Sequence, residues 1–108
     1  MTTKVIIRLG LPLDESDCRT TMNEPHFIVS FDGRKRAAAL ADHLDRYEGL
    51  EGSVQMINYS SHSDSCSIDI APPCSDMIDA AICSNVIKRA VEDYAKQNSW
   101  SVDVVVSR

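Results

Sequence analysis

The chain has 108 residues, 44% of them hydrophobic and 25% charged, which suits one globular domain able to bury a core without staples. Its 16 acidic and 11 basic residues leave a net charge of −5, which excludes a strongly basic nucleic-acid binder on bulk charge, though not a local basic patch. No apolar run approaches the ~18 residues needed to span a bilayer, so no membrane association is expected.

Residues 4–9, Lys-Val-Ile-Ile-Arg-Leu, are rich in β-branched side chains and stop at Gly10, so they predict a strand. Residues 10–25 carry two prolines and four acidic residues without a period, and predict a long acidic loop. In residues 26–31 the side chains of Phe27, Val29 and Phe31 share one face by the period of two, giving a second strand. Asp32-Gly33 is a turn in which Asp32 is placed to cap a helix. Over residues 34–48, Ala37, Leu40, Ala41, Leu44 and Tyr47 form one apolar stripe at helical spacing, with Gly49 just past the end. Residues 53–59 predict a third strand and 66–70 a fourth, joined as a hairpin by a short run of Ser, His and Asp. A long helix opens at Cys74 or Ser75 and runs to about Gln97. Residues 100–106, Trp-Ser-Val-Asp-Val-Val-Val, close the chain as a last strand.

The order is therefore β-β-α-β-β-α-β within a single domain, 1–108. Without the first strand it resembles the ferredoxin-like order β-α-β-β-α-β, which implies an α+β two-layer sandwich with an extra N-terminal strand, added at an edge or within a modified order. On the second helix Ala80, Cys83, Ile87, Ala90, Val91 and Tyr94 lie in one arc, at about 100° per residue. Ile78 and Ile82 project roughly opposite, flanked by Met77 and Ala81. Either Leu11 and Leu13 of the long loop cover that second stripe, or a partner or second copy of the chain does.

Four cysteines, Cys18, Cys66, Cys74 and Cys83, include no close Cys-x-x-Cys pair, and His26, His43 and His62 are scattered. With no signal peptide read at the N-terminus, this predicts reduced thiols in a cytoplasm and no metal or other cofactor. Cys74, at a helix start, is the candidate reactive thiol, against a capping or buried role. Ser61-His62-Ser63-Asp64 places triad residues side by side, but a hairpin tip does not hold triad geometry. The expectation is that these side chains bond their own backbone.

Gly33-Arg34-Lys35-Arg36 is the concentrated basic feature. It lies at a strand-to-helix turn, where free N–H groups form a weak anion site at Gly33, Arg34 and Arg36. The sheet face turned from the helices reads as acidic and hydroxyl-rich from Ser67, Asp69, Ser30, Asp32 and Asp103, so nucleic acid is not expected there. The functional expectation is a small acidic non-catalytic module of inhibitor, immunity-type or regulatory character. It would bind another protein or a macromolecular complex through Met77, Ile78, Ile82, Arg34, Lys35 and Arg36. The alternative is an enzyme processing a small anion or phosphate ligand at the 33–36 turn.

Overall fold

The structure is a computed structural model that describes residues 2–10, 26–72 and 77–107, with the side chains of 77–80 outside the description. Five strands and two helices form in the expected chain order: β1 (Thr3–Gly10), β2 (His26–Asp32), α1 (Arg34–Arg46), β3 (Val54–Tyr59), β4 (Ser65–Ile70), α2 (Met77–Gln97) and β5 (Val102–Ser107). Together they make an α+β domain with one mixed sheet. The long loop, with Leu11, Leu13 and Cys18, lies outside the described residues, as does Cys74.

Period-two burial decides the inner sheet face. Val5 and Ile7 of β1, Phe27, Val29 and Phe31 of β2, and Cys66, Ile68 and Ile70 of β4 are all buried. Onto this face α1 lowers Ala37, Leu40, Ala41 and Leu44, and α2 lowers Ile87, Ala90, Val91 and Tyr94. The helical stripes read from the sequence are the ones that pack. Helix α1 lies over β3 and β4, while α2 lies over β5 and β1.

The strand order is β3-β4-β2-β1-β5. It departs from the plain ferredoxin-like order because β1 does not sit at an edge. It enters between β2, to which it is antiparallel, and β5, to which it is parallel. Two apolar residues on its inner face, Val5 and Ile7, are 0% exposed, and Ile6 on the other face is half-buried. Its apolar inner face and the half-buried Ile6 gain from an interior position, and β5, an edge strand with or without this insertion, now pairs with β1 in place of β2.

The ends of α1 also differ from expectation. The helix stops at Arg46, and Tyr47 caps it in an extended conformation, with its N–H donated to Leu44 O. Gly49, at φ 95, belongs to the turn beyond. At the other end the N-cap is Gly33, whose φ of 140 lies where L side chains are strained, and no side chain of the chain's own turn caps the helix.

Candidate functional site

Three surfaces carry the chemistry-bearing residues. The first is the basic turn. Asp64, at the end of the β3–β4 hairpin, caps α1 from outside: its carbonyl oxygen accepts from Gly33 N at 2.8 Å and Arg34 N at 3.1 Å. Its Oδ1 accepts from Arg34 N at 3.3 Å. Asp32, expected as the cap, instead accepts from Ser65 Oγ at 2.6 Å. A negative group at a helix start answers the dipole that Arg34, Lys35 and Arg36 oppose. The arginines turn aside. Arg34 Nη1 donates to Ser60 O at 3.3 Å, and its guanidinium lies 5.1 Å from the Tyr59 ring centroid. Arg36 lies 5.0 Å from the Trp100 ring, while Lys35 is exposed to solvent. The N–H groups of Gly33 and Arg34, which would cradle an anion, are thus already bonded.

Serines of the hairpin tip bond its backbone, as the composition predicts, whereas the Asp64 carboxylate turns to α1. His62 N donates to Ser60 Oγ and Ser65 N to Ser63 Oγ, each at 3.2 Å. The helical carboxylates diverge: Asp42 pairs with Arg46 at 3.2 Å, while Asp45 Oδ1 accepts from Val54 N at 3.1 Å. Among the described residues no three His, Cys, Asp or Glu side chains gather as a metal site.

The second surface is the helix-free face of the sheet. Across one row the register aligns Met56, Asp69, Ile28, Arg8 and Ser107, and across the next Asn58, Ser67, Ser30, Ile6 and Val105. Because β1 is interior, it brings Lys4, Ile6 and Arg8 into a face that the other strands made acidic. The face is of mixed charge with an apolar middle. At one end it sinks into an open groove of about 560 Å³ lined by Lys4, Ile6, Ser30, Asp32, Tyr59 and Ser65, among others. This groove offers donors and acceptors of both signs. At its rim Ser65 Oγ donates to the Asp32 carboxylate. Cys66 beneath it is a buried free thiol whose Sγ donates to Phe31 O at 3.6 Å. Burial first, then the charges of Asp64 and Asp32, push its pKa upward, away from a reactive thiolate.

The third surface is α2. Ile82 is 57% exposed, off the buried stripe as its helical position predicts. One turn on, Val86 approaches Gly49. The positions of Met77 and Ile78 are helical, and their side chains fall outside the description. The adjoining Cys83 is disulfide-bonded. This corrects the expectation that every thiol is reduced: sequence spacing screens for close metal ligands, whereas a disulfide depends on Cα atoms that the fold brings within ~7 Å.

Between the helices runs a feature that the sequence reading missed. Tilted and edge-to-face rings form a chain from Tyr47 through His43, Tyr94 and Trp100 to Phe31, with centroid separations of 5.7, 5.7, 6.0 and 5.5 Å. Tyr47 OH donates to Asp93 Oδ2 at 2.9 Å. That bond first, then burial, raises the Tyr47 pKa. His43 Nε2 is buried with no hydrogen-bond partner among the described residues. His43 and Tyr47 share a helical i, i+4 spacing, but the contacts with Tyr94, Trp100 and Phe31 join segments far apart in sequence, which no single period links.

No protein-family model, curated protein or solved structure matches this chain.

Proposed function

We propose that this protein is a small acidic non-catalytic module that binds another protein, in the manner of an inhibitor or regulator. Its main contact surface is the outer flank of α2 at Ile82 with the adjoining positions of Met77 and Ile78, and the Arg34–Arg36 turn, beside Trp100 beyond the opposite end of that helix, supplies a second, basic contact. The observation that carries this reading is the 57% exposure of Ile82. Covering such a side chain fully is worth about 1.5–3 kcal/mol, a useful anchor for a partner. An anion-processing enzyme has weaker support, because Asp64 occupies the N–H groups at the turn and aromatic rings engage both arginines. In fold terms, β2-α1-β3-β4-α2-β5 reads as a ferredoxin-like unit around an inserted strand.

The test is Ile82→Glu. An exposed substitution costs within ~0.5 kcal/mol, so the melting temperature should stay within about 4 °C of wild type. Partners cross-linked in the native host and quantified by mass spectrometry should lose one stoichiometric species. A fall of more than about 10 °C would mean that the chain itself covers Ile82. An unchanged partner set would also overturn the reading.

A further inference from the structure

We infer that two copies of this chain pair edge to edge through β5, extending the sheet across a two-fold axis normal to it. Among the described residues, no strand pairs with the outer side of β5. Which of its backbone groups point outward is set by its parallel neighbour. Thr3 N donates to Ser101 O at 2.9 Å, and Thr3, Val5 and Ile7 pair with Val102, Val104 and Val106. In a parallel bridge one residue bonds to the two neighbours of its partner, and the partner's own N–H and C=O point away. Ser101, Asp103 and Val105 therefore bond to β1, and Val102, Val104 and Val106 offer their amides and carbonyls outward.

The two sheet edges are not alike. At the other edge β3 has its register broken between Val54 and Met56, a bulge of the kind that blunts an edge. The register of β5 on β1 is continuous, and its sequence Val-Asp-Val-Val-Val-Ser holds no proline or lysine. It is the unguarded edge, with high strand propensity.

Self-complementarity chooses the occupant and the register. With the axis at Val104, Val104 faces its own copy and Val102 faces the copy's Val106. Every outward amide and carbonyl of the strand then finds a partner. Side chains of like face meet: Val102, Val104 and Val106 continue the core side, and Asp103 lies opposite Val105 of the other copy. A shift of two residues one way would set Asp103 against its own copy, which is repulsive. The opposite shift would leave Val102 unpaired within the strand. The pairing of β5 edges uses no contact of Ile82.

A pairing of this size buries less than a standard interface of ~1,600 Å², so the dimer should form at roughly 0.1–1 mM protein. Near-physiological salt, with its ~8 Å screening length, suppresses the repulsion of two acidic copies. Sedimentation velocity over that range should show a monomer–dimer equilibrium. Hydrogen exchange at low and high concentration should show added protection at the amides of Val102, Val104 and Val106. Val105→Asp places like charges across the axis and should weaken association at least tenfold. Val105→Lys faces Asp103 of the other copy and should preserve it, with circular dichroism confirming that both variants fold. A monomer throughout the range would overturn the inference. So would exchange at β5 that is independent of concentration, or equal association of the two variants.

Discussion

The cap that α1 borrows from the hairpin offers a sharp perturbation. Gly33 supplies no side chain, the first turn contains no acid, and three basic residues oppose the dipole. Asp64→Ala removes the carboxylate and leaves its carbonyl oxygen. Arg34 N–H keeps a carbonyl acceptor at 3.1 Å and loses an Oδ1 acceptor at 3.3 Å. The loss is therefore the weaker half of a shared hydrogen bond together with the charge–dipole contribution. Caps are worth about 0.5–2 kcal/mol and exposed charge–dipole pairs about 0.3–1 kcal/mol, and the surviving carbonyl bond places this change near 0.5–1 kcal/mol. For a domain of this size that is a fall of roughly 2–8 °C in melting temperature. Asp64→Asn keeps an acceptor and loses the charge, so it should fall less, and its deficit should shrink in ~1 M salt. Thermal melts by circular dichroism at two salt concentrations read both effects. An Asp64→Ala protein that melts within 1 °C of wild type, or an Asp64→Asn deficit indifferent to salt, would refute the external cap.

Three further outcomes are expected. His43→Phe keeps a ring between Tyr47 and Tyr94 while deleting a buried, unbonded nitrogen, and should raise stability by about 1 kcal/mol in chemical denaturation. Cys66 and Tyr47 both have raised pKa values, so above pH 9.0 and then 10.0 the unfolded chain releases protons that the folded protein retains. Stability should decline through that alkaline window, and Tyr47→Phe should flatten the upper part of the decline in urea titrations at stepped pH. Thiol titration of the denatured, unreduced protein should count two free thiols, four cysteines less the two of one disulfide, and peptide mapping should identify the partner of Cys83. A count of four would mean that the disulfide is reduced in the isolated protein, as in a cytoplasm.

Local spacing determined a good deal here. The period of two in Phe27–Phe31 and Cys66–Ile70, and the helical period of Ala37–Leu44 and Ile87–Tyr94, identified both elements and buried faces, because each pattern is complete within one segment. The exposure of Ile82 follows from the same geometry. Features that need two distant segments were decided only in three dimensions. Nothing within residues 3–10 specifies that the strand inserts between β2 and β5. Its apolar inner face demands cover, but which neighbours supply it depends on the whole sheet. The open face reads as acidic from the other strands alone; with Val5 and Ile7 inward, the alternation of β1 adds Lys4 and Arg8 to it. The α1 cap likewise passed from Asp32, adjacent in sequence, to Asp64, adjacent in space, because β2 and β4 run antiparallel and bring Asp32 opposite Ser65, with Asp64 just beyond the paired strand end. A hydrogen-bonded partner tens of residues away is chosen by register and closure, and those are properties of the assembled sheet and helices rather than of any segment's own residues.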